Sequence, residues 1–252
     1  MSTSTASILD ARDIVKELGQ GAGLVRALKG VSLALQPGEL TLLMGPSGSG
    51  KTTLLSILGC ILAPTSGSLT IAGTSTAGLS PEALAALRRR HIGFVFQGYN
   101  LFPTLTAVEN VRLALDVQGI SGPKSVTVAT EALTAVGLSH RMQAYPRNMS
   151  GGEQQRVAIA RAIAGKPSLI FADEPTAALD SENGQSVMAL LSDLAGEKSR
   201  AILAVTHDHR TIPYAHRIVN IEDGVIVGET RQQPTGKPAT APSGPARTKE
   251  KA

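Results

Sequence analysis

The chain has 252 residues, 42% of them hydrophobic but only 3% aromatic and none Trp, so its core must be Leu, Ile, Val and Ala in one large domain or two small ones. The net charge of +4 lies at the end: Arg231, Lys237, Arg247, Lys249 and Lys251 face only Glu250 there, the rest is near neutral, and the compositional case for a nucleic-acid-binding body falls away. No run approaches the ~18–20 apolar residues of a membrane span, and Met1 to Ser7 lacks the basic and apolar regions of a signal peptide, so a cytosolic protein is expected, with any membrane link made by a partner.

In chain order, Ile8–Val15 reads as a strand, Gly19–Gly23 as a turn and Val25–Leu35 as a second strand. After the turn Pro37-Gly38-Glu39, the apolar run Leu40–Met44 reads as a buried strand. A Gly-rich loop follows, and Thr52–Leu58 opens a helix. Near that helix end, Cys60 reads as a small core residue; being the only Cys, it excludes an intramolecular disulfide and fits a reducing compartment. Pro64–Gly67 is a turn and Ser68–Ala72 a short strand. Ser80 and Pro81 supply the N-cap and first position of a helix running to Arg90. Ile92–Phe96 is a strand ending at Gln97.

From Gly98 the pattern turns helical. A loop at Tyr99–Pro103 precedes helices at Thr106–Val117 and Pro123–Val136, the second ended by Gly137. This predicts a helical insert, at about residues 98–160, in an α/β framework. Strand character returns at Leu169–Ala172, followed by Asp173-Glu174. A helix over Ser181–Leu194 takes Ser181 as its N-cap, and Ala201–Val205 is a third apolar strand, ending at Thr206-His207-Asp208. Asp223-Gly224 reads as a hairpin turn between Arg217–Ile221 and Val225–Val227. One domain over residues 1–229 is expected, then a disordered basic tail over 230–252.

The chain is organised around Gly45-Pro46-Ser47-Gly48-Ser49-Gly50-Lys51-Thr52-Thr53. This is the phosphate-binding loop pattern G-x-x-x-x-G-K-[ST], and it stands between a strand and a helix as the motif requires. Its glycines let backbone N–H groups turn toward phosphate, and the helix N-terminus adds partial positive charge. Lys51 reaches the β and γ phosphates, and the Thr52 hydroxyl ligates Mg²⁺. At a strand end beside such a loop, Asp173 is placed to hold Mg²⁺ and Glu174 to orient and deprotonate an attacking water. Ser150-Gly151-Gly152 before the apolar helix 157–163 reads either as a second anion site or as an ordinary N-cap with glycines. The first two strands form an antiparallel flap beside the nucleotide.

Together these pieces resemble the ATP-binding-cassette (ABC) ATPases. Gly45–Thr52 resembles Walker A, Gln97 the Q-loop, Met149–Arg156 the ABC signature, Leu169–Glu174 Walker B, Ala178-Leu179-Asp180 the D-loop and His207 the switch histidine. The resemblance covers about residues 8–228. It implies a P-loop NTPase fold of the ABC-ATPase kind: a mixed sheet core, an N-terminal antiparallel β flap and an inserted α-helical subdomain. It also implies an ATPase using ATP and Mg²⁺, working as a head-to-tail homodimer. Ser150, Gly151 and Gly152 would act in trans on the γ-phosphate, and Asp180 would link the two sites. Gln97 would help coordinate Mg²⁺, and His207 would hold the γ-phosphate and attacking water. Gly93–Gln97, Asn100-Leu101, Leu105–Ala107, Glu109–Val111 and Leu58–Cys60 look most like the macrolide-export, lipoprotein-release and glycolipid-export branch. That implies a subunit at the cytoplasmic face of the inner membrane, driving a separate permease that docks near residues 98–109. An importer subunit and a soluble ABC ATPase are the alternatives, and no nucleic acid is expected. Two departures stand out. Met149 replaces the usual Leu of the signature. Near Leu18, where the family stacks an aromatic on adenine, there is none; Val15, Leu18 or Val25 offer only apolar contact.

Overall fold

The computed structural model describes residues 7–197 and 199–236. Two sheets sandwich one helix. The first is antiparallel, order β2-β1-β4-β5, built from β1 (Leu9–Leu18), β2 (Val25–Leu35), β4 (Ser66–Ile71) and β5 (Thr74–Ser75). The second has six strands, order β10-β9-β3-β8-β7-β6. Its members are β3 (Leu40–Met44), β6 (Ile92–Val95), β7 (Leu169–Asp173), β8 (Ala201–Thr206), β9 (Arg217–Glu222) and β10 (Val225–Arg231). Strands β6, β7, β8, β3 and β9 run parallel, and β10 returns antiparallel through the Asp223-Gly224 turn. Both turn residues have positive φ, at 44° and 77°, which the tight hairpin requires.

The central strands are apolar on both faces because both faces are covered. Leu43, Leu169, Phe171, Leu203 and Val205 point into a core shared with β1, β2 and α1 (Lys51–Leu58). Alternate residues Leu42, Met44, Ile170, Ala172, Ile202 and Ala204 point into a second core. That core includes α3 (Ala107–Val117), α4 (Gly122–Ala135), α5 (Gly151–Ile163) and α6 (Ser181–Gly196). The remaining helix, α2 (Pro81–His91), is capped by Ser80 and carries Pro in its first turn, as predicted. Cys60 is buried in the first core, and burial pushes its thiol up to about 11, which leaves it unreactive at neutral pH.

The helices expected over 98–160 are present, but α5 continues to Ile163, and its contacts with β6 and α6 join it to the sheet. Several boundaries differ from the sequence expectations, and three of the differences have a clear cause. β1 reaches Leu18 rather than Val15, because its pairing with β2 continues past a bulge. The N-cap of α6 is Asp180, not Ser181: its carboxylate accepts the Asn183 N–H at 2.9 Å. The third concerns the expected tail. β10 pairs with β9 through Arg231, Gln232 donates to the Ile212 and Ala215 carbonyls, and the Thr235 and Gly236 N–H groups donate to Pro213. Residues 230–236 therefore belong to the fold, through backbone pairing that needs no large apolar side chain. The rest of the expected tail, from 237, lies outside the described residues. Among the described residues no helix is long and apolar enough to cross a membrane.

Candidate functional site

Four adjacent parallel strands, β3, β8, β7 and β6, end on one edge of the sheet, and each delivers part of the site. β3 runs into the Gly-rich loop and α1; β7 ends at Asp173 and leads to Glu174; β8 leads to His207; β6 leads to Gln97. The carboxyl ends of parallel strands are where α/β sheets bind ligands, since the loops there are free of the ladder. The result is a cleft of about 690 Å³ lined by Pro46, Ser47, Gly48, Gly50, Lys51, Thr52, Thr53, Gln97, Asp173, Glu174, His207, Leu18 and Ala27. Gly45 and Ser49 stand outside that lining; Ser49 is buried with its hydroxyl unpartnered.

Gly50 caps α1 in the left-handed conformation, φ 99°. A Cβ there would lie 2.8 Å from the Ala27 carbonyl and 2.9 Å from Leu28, so conformation and space both demand glycine. Lys51 is largely buried, and its Nζ donates to the Gly45 and Pro46 carbonyls at 2.8 Å each, which holds the ammonium inside the loop. Asp173 is pushed above the usual carboxylate range by burial and by Glu174, with Lys51 opposing. Glu174 has φ 46°, a strained backbone for a non-glycine residue, held by its N–H on the Val205 carbonyl at 2.9 Å. Its carboxylate accepts from His207 Nδ1 at 2.8 Å, with the imidazole otherwise exposed. Thr52, Gln97 and Asp173, each carrying a side-chain oxygen, thus line the same cleft as the lysine. A divalent cation sharing its ligands with phosphate oxygens fits this donor set, and it would relieve the like charges of Asp173 and Glu174.

The other predicted residues are not in this cleft. Ser150 caps α5 in a capping box: its hydroxyl accepts the Glu153 N–H, and Glu153 accepts the Ser150 N–H at 2.8 Å. Burial pushes Glu153 up, but those bonds and Arg141, at 2.9 Å, outweigh it and hold the carboxyl below its usual range. Asp180 is half of a second constellation with Asn183, whose side chain donates to it at 2.7 Å. Asn183 in turn packs against Gly152, where a Cβ would stand 2.8 Å from Asn183 Cγ. A Cβ on Gly151 would meet the Tyr99 hydroxyl at 2.9 Å. Arg161 of α5 donates to the Tyr99 carbonyl at 2.7 Å and also to that of Asn100, and both of those residues have positive φ. The loop after Gln97 and the turn at Asp180 therefore both rest on α5, the loop along its length and the turn at its start. Sequence reading missed Ala27, Asn183, Arg141 and Arg161. Only the Asp180-x-x-Asn183 cap spacing could have flagged one of them.

Leu101 packs against the core of the helical insert, whereas Phe102 is exposed, as are Phe96 and Tyr145. Asn110, fully buried, ties the loop down: it accepts the Phe102 N–H and donates to the Phe102, Leu105 and Thr106 carbonyls.

Residues 28–177 match the family profile described as ABC transporter. The chain is 43% identical over 227 residues to the macrolide export ATP-binding/permease protein MacB of Marinobacter nauticus, covering 90% of this chain and 35% of that one. It is 43% identical to the pyoverdine export ATP-binding/permease protein PvdT of Pseudomonas fluorescens, covering 93% and 36%. The chain thus spans about a third of the length of these curated relatives. Among solved structures it resembles the ATP-binding cassette MJ0796, described as a dimer in a post-hydrolysis state bound to ADP and Pi. The TM-score is 0.80 at 41% identity, over 88% of this chain and 98% of that one.

Proposed function

The chain belongs to the ABC transporter family, and from that premise we propose that it is an ATP-binding and ATP-hydrolysing subunit that dimerises on ATP and drives a membrane permease, for export or for release of lipid or lipoprotein. One observation carries the reading: a single cleft gathers the phosphate loop, two strand-end carboxylates, Gln97 and His207 from the ends of four neighbouring strands. In it, the loop Gly45–Thr53 holds the triphosphate through the residues that line the cleft, with Lys51 on the β and γ phosphates and with Gly45 and Ser49 shaping the loop from behind. Thr52, Gln97 and Asp173 hold Mg²⁺, which supplies charge neutralisation to the phosphate oxygens. Glu174 orients the attacking water and takes its proton; His207, bonded to Glu174 here, steadies that carboxylate and the γ-phosphate.

Ser150, Gly151, Gly152 and Asp180 lie outside the cleft of their own chain, so they act on the nucleotide of a second copy. The dimeric cassette bound to ADP and Pi supports this arrangement. The relatives named as ATP-binding/permease proteins support a permease partner. The exposed aromatics Phe96 and Phe102 support its docking near residues 98–109. Attachment to the cytoplasmic face of the inner membrane, through that permease, completes the reading.

The test is Glu174→Gln. It removes the base and leaves the phosphate loop, so ATP binding should persist while phosphate release falls at least ~100-fold. Size-exclusion chromatography with light scattering should show a dimer with MgATP and a monomer without nucleotide. Near-normal turnover would remove Glu174 from the mechanism.

A further inference from the structure

Two helices of this chain open with the same four-residue device and use it differently. At the start of α3, Thr106 and Glu109 form a capping box: Thr106 Oγ1 accepts the Glu109 N–H, and Glu109 Oε2 accepts the Thr106 N–H at 2.7 Å. The same carboxylate oxygen also takes the Thr106 hydroxyl proton, again at 2.7 Å. Among the described residues no cation reaches Glu109 in an ion pair, so its charge draws in the nearest O–H. At the start of α5, Ser150 and Glu153 repeat the box. Glu153 Oε2 accepts the Ser150 N–H at 2.8 Å, and Ser150 Oγ accepts the Glu153 N–H at 3.2 Å. Here the hydroxyl proton does not go to the carboxylate. Arg141 is there instead: its Nε stands 2.9 Å from Oε1, and its Nη2 lies 3.3 Å from Oε2 and donates to the Asn148 carbonyl at 2.6 Å. A guanidinium fork lying along both oxygens of a carboxylate satisfies its charge. Ser150 is exposed, and among the described residues its O–H proton has no acceptor.

We infer that Arg141 is a positioning residue: by occupying the Glu153 carboxylate it keeps the Ser150 hydroxyl proton free to donate to the phosphate of a second copy's nucleotide. This rests on the reading above that Ser150 acts on that nucleotide, and deepens it. Without Arg141 the box at α5 becomes the box at α3, where the cap hydroxyl is spent on its own helix. The pair has a second effect. A bare carboxylate one turn into α5 would repel a polyphosphate, whereas a neutral Arg141–Glu153 pair leaves the partial positive charge of the helix N-terminus unopposed.

The experiment is steady-state phosphate release by the full chain at saturating MgATP. The chains compared are the natural one, Arg141→Gln, Ser150→Ala, the two together, and Arg141→Gln with Glu153→Gln, each checked for folding by circular dichroism. Losing a hydrogen bond to a charged group, Arg141→Gln should release phosphate about 10-fold more slowly or worse. On top of Ser150→Ala it should cost less than about 2-fold, since the hydroxyl it acts through is already gone. Glu153→Gln removes the charge that captures the hydroxyl, and should bring Arg141→Gln back to within about 3-fold of the natural chain. Should Arg141→Gln not fold, Arg141→Lys replaces it: a single-point cation frees one carboxylate oxygen, so a loss of about 3-fold is expected, again only when Ser150 is present. Equal losses with and without the Ser150 hydroxyl, no recovery with Glu153→Gln, or full activity of a folded Arg141→Gln chain each overturn the inference while the role of Ser150 stands. If Ser150→Ala alone releases phosphate at the natural rate, the reading of Ser150 itself fails and takes this inference with it.

Discussion

An alanine at position 152 would push its Cβ into the Asn183 side chain, which is itself tied to Asp180. Glycine early in a helix ordinarily costs stability relative to alanine, so Gly152→Ala would be stabilising were the helix alone in question. The close approach reverses the sign. Overpacking of this kind costs about 1–3 kcal/mol, and here it loosens the start of α6 as well as that of α5. Thermal unfolding of Gly152→Ala should move down by several degrees, and the double variant with Asn183→Ala should recover most of it. Additive losses instead would show that the two residues are not coupled. At this scale the sequence named Gly152 for the right stretch, but not for the contact that requires glycine. Asn183 comes from another helix, 31 residues on, and nothing local marks the meeting.

The elements bring a pH dependence of their own. β3, which launches the phosphate loop, is anchored at its start by His216: the Leu40 N–H donates to Nδ1 at 3.1 Å and the His216 N–H donates to the Leu40 carbonyl at 2.9 Å. Burial holds the imidazole below its usual pKa, with Glu39 opposing. An unfolded chain takes up this proton near the ordinary value of about 6.5, the folded chain only at lower pH. The stabilisation is therefore present above pH 6.5 or so and is lost as pH falls below it. Protonating Nδ1 also ends a hydrogen bond worth about 0.5–1.5 kcal/mol. Denaturant melts between pH 7.5 and 5.5 should show stability falling with pH. His216→Asn, whose amide oxygen can still accept from Leu40, should flatten that fall, and an unchanged slope would clear His216. Most elements were legible because their signals are local: short apolar runs bounded by turns, Ser80-Pro81 opening α2, Asp223-Gly224 closing the last hairpin. The extension of β1 and the strap 232–236 were not, since backbone partners remote in the chain hold them: β2 for the first, the carbonyls of residues 212–216 for the second.

For the whole molecule, the cleft and the start of α5 divide the predicted motifs between two places in one chain. On the proposed reading, a homodimer would unite them and a permease would give its closure something to move. The decisive measurement is capture of tagged Glu174→Gln chain from detergent-solubilised membranes of its native host with MgATP, followed by mass spectrometry. A permease of few spans with a large extracytoplasmic domain is expected. A many-span permease with a binding protein would redirect the reading to import, and no membrane protein at all would end the docking assignment for 98–109.

The sequence alone determined the phosphate loop, the strand-end carboxylates and the order of the motifs, because each is a short pattern whose chemistry depends on neighbours in the chain. It also determined that no Phe, Tyr or Trp precedes Phe94. Only the tertiary structure decided that Leu18 and Ala27 line the cleft, that His207 reaches Glu174, and that Asp180, Asn183 and Gly152 form one cluster. Those contacts depend on strand register, on a one-residue bulge and on helix packing. They are set by the burial of two cores across the whole chain, not by any stretch of it.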